Sequence, residues 1–226
     1  MPPAGITGTL RRVTDTAIVL AGGDIADPGL ATLLPAAALV IAADGGLAQA
    51  AELGIDRVDV VIGDMDSVDP AALEAARAAG TAVETHPVDK DATDLELAID
   101  AAVERGMRRV IVVGGGGGRL DHLLGNALLG TSARFAAVDL EWWVAGHRVV
   151  TVRRRAVLHG EPGDLVTLLP LGGPATCVTT RGLRWALDCE TLEPGTTRGV
   201  SNELVAAAAT VTVGAGTLLA IHRTAG

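Results

Sequence analysis

The hydrophobic residues of the first 146 positions fall into short apolar runs, separated by stretches with helical spacing. Such runs, when they end in Gly or Asp, are typical of buried strands followed by loops. Strands are predicted at Ala17–Ala21, Leu39–Ala43, Val58–Ile62, Val110–Val113 and Leu140–Val144. Helices are predicted at Leu47–Leu53, Pro70–Ala79, from about Leu95 to the glycine at 106, and at Leu120–Leu129.

The alternation of strands and helices predicts the fold class of this part of the chain. Strands joined through helices form a parallel sheet that is covered on both faces, so we expect a three-layer α/β/α architecture. Ligands bind to such sheets beyond the carboxyl ends of the strands. Asp44, Asp64 and the glycine run that begins at Gly114 all follow closely after a predicted strand. These residues are therefore the first candidates for a binding site.

The pattern changes near residue 147, where the helical spacing is lost. Short apolar runs such as ATVTV and TLLAI, separated by Gly and Pro, continue towards the end of the chain. They predict antiparallel strands that form an all-β sandwich or barrel. We therefore predict an α/β domain at residues 15–146 and a β domain at residues 147–226, after a loose N-terminal tail at residues 1–14.

The composition is that of a globular protein, with 49 % hydrophobic and 20 % charged residues in a chain of 226. Its formal net charge of −9 disfavours nucleic acid as a partner, because an acidic surface repels phosphate backbones. The N-terminus lacks the apolar segment of a signal peptide, and no run has membrane-spanning length, so we expect a cytoplasmic protein without membrane contact. Cys177 and Cys189 lack CxxC spacing, which argues against a disulfide framework or a zinc site.

The sequence GDMDS places Asp64 and Asp66 two residues apart, directly after a predicted strand. Two carboxylates in this arrangement can reach one hard cation, and Mg²⁺ prefers oxygen ligands. A simple turn is the alternative, because Ser67, Asp69 and Pro70 are all residues that commonly start a helix. The motif by itself leaves both interpretations open.

A second concentration of acidic residues, DKDATD, ends at Asp94 and directly precedes a predicted helix. Helix N-termini attract anions, so a phosphate group can bind at this position. Thr93 and Glu96 also fit a capping box, which explains Thr93 without any ligand. Capping does not explain why so many acids surround Lys90.

Five glycines at 114–118 precede Arg119, Asp121 and His122, and Asn126 follows in the next helical turn. Consecutive glycines let backbone amides approach phosphates, and arginine can bind phosphate oxygens with both arms of its guanidinium group. The Gly-Lys-Ser/Thr ending of a Walker A loop is missing. The alternative is a flexible loop in which Asp121 caps the following helix.

Two further motifs lie in the predicted β domain: GLRW, which ends in Trp185, and SNE, which begins with Ser201 and Asn202. Tryptophan usually packs in a core, and we predict this for Trp142 and Trp143 because they lie within an apolar strand. For Trp185, core packing and ligand binding both remain open. Ser201 and Asn202 are either turn residues or hydrogen-bonding partners of a heteroaromatic ligand.

Taken in order, these motifs resemble the thiamine pyrophosphokinase (thiamine diphosphokinase) family over nearly the whole chain, from about residue 17 to residue 223. The residues that carry the resemblance are Asp44-Gly45-Gly46, GDMDS at 63–67, KDATD at 90–94, GRLDH at 118–122, GLRW at 182–185 and SNE at 201–203. Two positions depart from the family pattern. Arg57 replaces a frequent proline and Met65 replaces Phe or Leu, and neither is a proposed ligand.

The resemblance implies an N-terminal domain that binds Mg²⁺ and ATP and a C-terminal domain that helps to bind thiamine. The implied reaction transfers the pyrophosphoryl group of ATP to the thiamine hydroxyl, which gives thiamine diphosphate and AMP. The resemblance also implies a homodimer with active sites shared between subunits.

Position within the motifs implies a role for each candidate residue. The catalytic acids implied to hold Mg²⁺ are Asp64, Asp66 and Asp94. The residues implied to bind ATP are Asp44, Lys90, Thr93, Gly117, Gly118, Arg119, Asp121, His122 and Asn126. The residues implied to bind thiamine are Trp185, Ser201 and Asn202.

Two other functions fit parts of the sequence. Residues 64–68 match DxDx[TV], a signature of haloacid-dehalogenase-type phosphohydrolases, in which the first aspartate is a covalent nucleophile. That family usually carries the motif near its N-terminus, whereas here it follows the third predicted strand. The second alternative is a non-catalytic nucleotide-binding regulator on the same fold, although every acidic residue of the motif set is present.

Overall fold

The computed structural model describes residues 15–24, 26 and 28–223, and the predicted N-terminal tail at residues 1–14 lies outside this part. The strands of the N-terminal region are β1 (Thr16–Ala21), β2 (Leu39–Ala43), β3 (Val60–Gly63), β4 (Ala82–Thr85), β5 (Arg109–Gly114) and β6 (Asp139–Val144). Its helices are α1 (Gly46–Glu52), α2 (Pro70–Ala78), α3 (Asp94–Glu104) and α4 (Leu120–Leu129). The later strands are β7 (His147–Val152), β8 (Arg155–His159), β9 (Leu165–Pro170), β10 (Ala175–Arg181), β11 (Glu190–Leu192), β12 (Asn202–Glu203), β13 (Ala208–Thr212) and β14 (Leu218–Arg223).

One large, mostly parallel sheet contains ten of these strands, in the order β12-β9-β14-β7-β6-β5-β1-β2-β3-β4. The pairs from β6 to β4 are parallel, and those from β12 to β6 are antiparallel. The central strand β1 is buried along its whole length, which explains why its sequence is an unbroken apolar run.

Helices pack on both faces of the parallel part of this sheet. Ala17 and Val19 of β1 belong to a buried cluster that includes residues of α3. Ile18 and Leu20, which point to the other face, belong to a cluster that includes residues of α1. The alternation of side chains along a strand therefore divides the core of this region between two faces.

The sheet continues without a break past residue 147, where the sequence predicts a domain boundary. β6 and β7 form an antiparallel hairpin there, with Val144 opposite His147. The later strands of the large sheet share a third buried cluster with the small antiparallel sheet β11-β10-β13-β8. Buried positions alternate with less buried ones along β9 and β13, because only one face of each strand is covered.

Most predicted elements are confirmed within one or two residues, and one strand was missed. The third strand begins at Val60 rather than Val58, and β4 was not predicted at all. β4 lies at the sheet edge with partly exposed side chains, so its sequence has no apolar run. Trp142 and Trp143 are buried as predicted. Within the described residues, no helix is long and apolar enough to cross a membrane.

Candidate active site

A cavity of about 540 Å³ lies at the carboxyl ends of β1, β2 and β5. From β1 the sheet extends through β2 and β3 to β4, and the chain then returns to the other side of β1 as β5. This reversal of the strand order is a switch point, where sheets of this kind bind ligands. The loops after β1 and β5 are hydrogen-bonded to each other there, and the cavity walls include Gly22, Gly23 and the glycines at 115–117.

Three carboxylates meet beside this cavity. Oxygen atoms of Asp44, Asp64 and Asp66 all lie within 4.8 Å of one another. Asp44 follows β2 with a φ of 43° and lines the cavity, while Asp64 and Asp66 belong to the turn after β3. The backbone N–H of Asp66 donates to Oδ1 of Asp64 at 3.2 Å, and this bond fixes the turn.

The glycine of GDMDS allows these acids to converge. Gly63 has a φ of 153°, and a Cβ at this position would lie 3.0 Å from the Cβ of Asp44 and 3.1 Å from Oδ1 of Asp94. A side chain at residue 63 would therefore push both acids away. Gly63 is thus part of the acidic site as well as of the turn.

Lys90 connects Asp94 to the acidic cluster. Its Nζ lies 3.3 Å from Oδ2 of Asp64 and 3.0 Å from Oδ1 of Asp94. Burial lowers the pKa of Lys90, but the two carboxylates outweigh this effect and the net pKa is raised. The ammonium group therefore stays charged, and Asp94 joins the cluster through Lys90.

The acidic residues have an excess of negative charge that fits a divalent cation. Burial raises the pKa of Asp44, in spite of its hydrogen bond with Ser67. Oδ1 of Asp44 is buried without a hydrogen-bond partner among the described residues. The pKa of Asp64 is lowered, mainly by the backbone N–H of Asp66 and, against the opposing effect of burial, by Lys90. Several carboxylates around one ammonium group, with an unused oxygen, form a donor set suited to Mg²⁺.

Thr93 has two roles in the structure. Its Oγ1 accepts a hydrogen bond from the backbone N–H of Glu96 at 3.2 Å, so the predicted capping of α3 is confirmed. The side chain of Glu96 accepts from Arg134, as part of an ion pair. Thr93 and Asp94 also line the cavity, which places the N-terminus of α3 at its wall.

The alternative in which Asp121 caps α4 does not hold, because the N-terminus of this helix has no side-chain cap. The Asp121 carboxylate accepts instead from Arg119, with Nη2 at 2.5 Å from Oδ2 and Nε at 3.2 Å from Oδ1. This pairing lowers the pKa of Asp121 to about 2. Arg119 lines the cavity. Both arms of its guanidinium group are bound to the carboxylate of Asp121.

The remaining candidates near the glycine run occupy different positions. His122 and Asn126 line the cavity, as does Gly117, whereas Gly118 does not. The Nδ2 of Asn126 donates to the carbonyl oxygen of Gly115 at 3.0 Å. Asn126 therefore fixes the conformation of the glycine loop from one side.

Asp24 contacts the glycine run beside the cavity and was missed by the sequence analysis. Its backbone N–H donates to the carbonyl oxygen of Gly116 at 3.0 Å. A Cβ on Gly117 would lie 2.0 Å from Oδ1 of Asp24, and the φ of 81° at Gly117 is one that favours glycine. The sequence offers one signal: Asp24 follows Gly22-Gly23 at a strand end, much as Asp44 follows β2.

In the β region, GLRW pairs with SNE across 17 residues of chain. Trp185 donates its backbone N–H to Oδ1 of Asn202 at 3.1 Å, and Nδ2 of Asn202 donates to the carbonyl oxygen of Trp185 at 2.8 Å. The Arg184 backbone N–H and side chain both donate to Glu203. The two motifs therefore form one local structure.

This pairing presents the ring of Trp185 to solvent. The residue is 48 % exposed, so core packing of Trp185 is wrong. The guanidinium carbon of Arg184 lies 5.1 Å from the ring centroid, which shows that a cation fits against the indole face. Asn202 is buried and uses its amide on the Trp185 backbone, whereas Ser201 is exposed with a φ of 58°.

The same loop carries a disulfide that the sequence analysis argued against. Cys177 in β10 and Cys189 just before β11 are bonded to each other. β10 and β11 pair with a shift in register between Ala175 and Val178, and this irregularity brings the two cysteines together. Spacing along the chain cannot reveal such a cross-strand irregularity. The bond closes the segment that contains GLRW.

Comparison with known protein families shows which family the chain belongs to. Residues 30–141 match a family model described as thiamin pyrophosphokinase, catalytic domain, and residues 149–218 match one described as thiamin pyrophosphokinase, vitamin B1 binding domain. The chain belongs to the thiamin pyrophosphokinase family. Within this family, the acidic cluster falls in the catalytic-domain match, and GLRW and SNE fall in the vitamin B1-binding match.

Individual relatives of the thiamin pyrophosphokinase family give the same result. Thiamine pyrophosphokinase of Bacillus subtilis (strain 168) is 27 % identical over 191 residues, which is 82 % of this chain and 87 % of the relative. Thiamine pyrophosphokinase 1 of Oryza sativa subsp. japonica is 29 % identical over 155 residues, or 64 % of this chain and 58 % of that protein. The crystal structure of thiamine pyrophosphokinase from Bacillus subtilis has a TM-score of 0.81 at 25 % identity, covering 93 % of this chain and 100 % of the other.

Proposed function

We propose that the protein is a thiamine diphosphokinase, an ATP-dependent diphosphotransferase that converts ATP and thiamine into AMP and thiamine diphosphate. The observation that carries the proposal is the convergence of Asp44, Asp64 and Asp66, within 4.8 Å, beside a cavity of about 540 Å³. The cavity has the size of a small-molecule site and lies at the switch point of the sheet. Family membership supplies the substrates and the type of reaction.

The reaction requires that the thiamine hydroxyl attack the β-phosphorus of ATP. The bond between the α- and β-phosphates breaks, AMP leaves, and the hydroxyl proton is released. Catalysis of phosphoryl transfer depends mainly on positioning and charge neutralisation. Magnesium, when bound, supplies part of that neutralisation. Asp64 and Asp66 are its proposed ligands. Asp94 is a third proposed ligand because of its place in the KDATD motif, and Asp44 is a fourth because it lies beside Asp64 and Asp66.

The nucleotide is proposed to bind in the cavity as part of a three-layer nucleotide-binding domain. Lys90 and Arg119 supply positive charge, and the glycines at 117 and 118 supply backbone amides. Asp121 holds the Arg119 guanidinium at the rim, so an incoming phosphate competes with this carboxylate. Thr93, His122 and Asn126 complete the proposed pocket.

Thiamine is proposed to bind against Trp185. Its thiazolium ring is flat and cationic, and an indole face attracts such a ring by stacking and cation–π interaction. Ser201 is the exposed polar neighbour, whereas Asn202 holds the tryptophan loop in place through two backbone hydrogen bonds. This part of the proposal assigns the thiamine subsite to the region from residue 147 onward and the nucleotide site to residues 15–146.

We further propose an isologous homodimer in which each site contains Trp185 and Ser201 of one subunit and the acidic cluster of the other. One support is an apolar stripe on α4. Leu120, Leu124 and Leu128 lie on one helix face and are 68 %, 56 % and 54 % exposed. The stripe begins one residue after Arg119, so a second copy that covers it would lie next to the cavity.

Subunit mixing tests the shared site. Asp66→Asn and Trp185→Ala proteins, each inactive or weakened, are mixed under conditions in which labelled subunits exchange. Mixed dimers with shared sites contain one intact and one doubly altered site, so part of the activity should return. If activity stays at the average of the two parents despite measured exchange, the shared site is wrong.

The comparisons give no support to either alternative function. A haloacid-dehalogenase-type phosphohydrolase would form an aspartyl-phosphate at Asp64, and a regulator would not turn over. Incubation with ATP, Mg²⁺ and thiamine distinguishes all three. We expect AMP formation that depends strictly on thiamine. Formation of ADP or free phosphate without thiamine would contradict the proposed reaction.

A cytoplasmic location is part of the proposal, and cell fractionation tests it. The disulfide between Cys177 and Cys189 is the observation that opposes this location, because cytoplasmic thiols are kept largely reduced. Alkylation of freshly lysed cells decides the question. Labelling of both residues would support a cytoplasmic location, whereas complete protection from alkylation would argue for an oxidising compartment.

A further inference from the structure

Gln49 is a buried polar residue that none of the sequence motifs explains. It lies in α1 and is completely buried. A glutamine in such a place is stable only if its amide group is hydrogen-bonded. The hydrogen-bond partners of the Gln49 amide therefore indicate its role.

Both ends of the Gln49 amide bind the backbone of the loop after β1. Nε2 donates to the carbonyl oxygen of Asp24 at 2.7 Å, and Oε1 accepts from the backbone N–H of Ala26 at 2.9 Å. Within a sheet, a neighbouring strand would supply such hydrogen bonds to the backbone. Here β1 has already ended, and the side chain of Gln49 supplies them instead. The loop is held although it has left the sheet.

The loop that Gln49 holds is attached in turn to the glycine run after β5. The Asp24 N–H donates to the carbonyl oxygen of Gly116, and the Gly115 N–H donates to the carbonyl oxygen of Gly22 at 2.8 Å. The Asp24 carboxylate packs directly over Gly117. Gln49 itself approaches the run, because a Cβ on Gly114 would lie 3.2 Å from its Nε2.

These two segments lie against each other, and both contribute to the lining of the cavity at the switch point. Gly22 and Gly23 belong to the first segment, and the glycines at 115–117 belong to the second. Glycine segments have the largest conformational freedom of any backbone, so their shape must be imposed by their surroundings. Asn126 fixes one of them through Gly115, and Gln49 fixes the other.

We infer that Gln49 is a positioning residue for the nucleotide site, which holds the loop after β1 against the glycine run after β5 and thereby sets the affinity for ATP. The inference rests on the proposed function, because it takes the cavity to be the ATP site. Gln49 does not line the cavity itself and acts through Asp24 and Ala26. Its loss leaves one backbone donor and one acceptor unpaired, and the loop rearranges to satisfy them.

Gln49→Met tests the inference, because methionine has nearly the same length and no hydrogen-bonding amide. Phe135→Leu is the matched control, since Phe135 is fully buried in the cluster on the opposite face and does not line the cavity. Calorimetry measures the Kd of Mg-ATP without thiamine, and steady-state kinetics measure both KM values. We expect the Kd and the ATP KM of Gln49→Met to rise about tenfold. The thiamine KM, and all values for Phe135→Leu, should stay within about twofold.

The possible failures are distinguishable. If the wild-type protein binds no Mg-ATP, the proposed function fails. If the wild type binds and Gln49→Met binds equally well, or if Phe135→Leu is weakened to the same extent, the positioning role is wrong. Should Gln49→Met not fold, hydrogen exchange of the wild type decides. Mg-ATP should then slow exchange of the Asp24 and Ala26 amides, and unchanged exchange of both would overturn the inference.

Discussion

The two regions that carry the proposed site differ in how their polar groups are balanced. In the α/β region, Asp44 is half-buried, its Oδ1 is buried without a hydrogen-bond partner among the described residues, and burial raises its pKa. In the β region, Asp164 accepts from the Glu161 backbone N–H at 2.8 Å and contacts His222, and these bonds lower its pKa. Asp44 therefore lacks a partner for one oxygen atom, whereas the Asp164 carboxylate has hydrogen-bond partners. Carboxylates without enough partners beside a cavity indicate a ligand-binding site. A carboxylate whose hydrogen bonds are all made indicates a structural role.

The same contrast applies to the proposed substrate subsites. The ATP subsite is made of strand ends, glycine loops and a helix N-terminus, so its shape comes from the fold of the sheet. The thiamine subsite is one exposed ring on a loop, held by Asn202 and enclosed by a disulfide. Substitutions in the proposed ATP subsite should therefore affect charge neutralisation and turnover. Substitutions in the proposed thiamine subsite should affect the recognition of thiamine.

The largest effect is expected from Asp64→Asn. A carboxamide is a poor magnesium ligand and leaves the charge of ATP uncompensated, so kcat should fall at least about 100-fold. Asp164→Asn is the matched control, because it removes a carboxylate that is equally shielded but lies in the β region. Its turnover at saturating substrates should remain near that of the wild type. Comparable losses in both variants would erase the distinction between the two regions.

A smaller and more selective effect is expected from Trp185→Ala. Loss of the indole face should raise the thiamine KM about tenfold and leave the ATP KM unchanged. Trp185→Phe keeps an aromatic face and should recover most of the affinity. Initial rates at varied thiamine and fixed ATP measure this. An equal rise in both KM values would show that Trp185 supports the whole structure rather than thiamine recognition.

Arg119 and Asp121 should respond in opposite directions. Arg119→Lys keeps the charge but loses the two-armed contact, so the ATP KM should rise about fivefold with little change for thiamine. Asp121→Asn weakens the competing pair and should lower the ATP KM. Measurement of both variants at fixed thiamine checks this prediction. An ATP KM that does not change in either variant would leave the pair with a structural role in the loop.

The smallest effects are expected on the stability of the metal-free protein. Asp44→Asn removes a charge that burial disfavours and should raise the free energy of unfolding at pH 7 by about 1 kcal/mol. Asp164→Asn breaks satisfied hydrogen bonds and should lower it by about 1 kcal/mol. Urea denaturation with a chelator measures both. Two changes of the same sign would contradict the contrast between these acids.

The two aspartates should also differ in pH dependence. The folded pKa of Asp44 is raised, so its contribution to stability is present below pH 3.8 and is lost as the pH rises through the folded value. The advantage of Asp44→Asn should therefore appear only above that range. The folded pKa of Asp164 is lowered, so its contribution is present above pH 3.8 and is lost as the pH falls. The deficit of Asp164→Asn should disappear in acid.

Local pattern was sufficient to predict the strands and the acidic residues of the α/β region. β1 and β5 are apolar because they are buried on both faces, and Asp44 and Asp64 are recognisable because they follow such strands. The edge strand β4 was missed because partial exposure removes the apolar signal. Fold class followed from the alternation of elements, but the continuation of one sheet past residue 147 did not.

Contacts between distant residues could not be predicted from pattern. Asn202 binds the Trp185 backbone across 17 residues, and Gln49 binds Asp24 across 25. Such bonds depend on the final approach of loops, which no local period encodes. The disulfide between Cys177 and Cys189 has the same origin, since a register shift decides it. Sequence therefore indicated candidate side chains in the motifs, Asn202 among them, but not the contacts that they make, and it missed Gln49 altogether.

Positional labelling of ATP tests the central claim most directly. The enzyme is supplied with thiamine, Mg²⁺ and ATP that carries the label on either the α- or the β-phosphorus, and the products are separated. The account predicts that the β-label appears in thiamine diphosphate and the α-label in AMP, in equal amounts, and that Asp64→Asn abolishes both. Recovery of the β-label in ADP, with thiamine monophosphate as the other product, would contradict it.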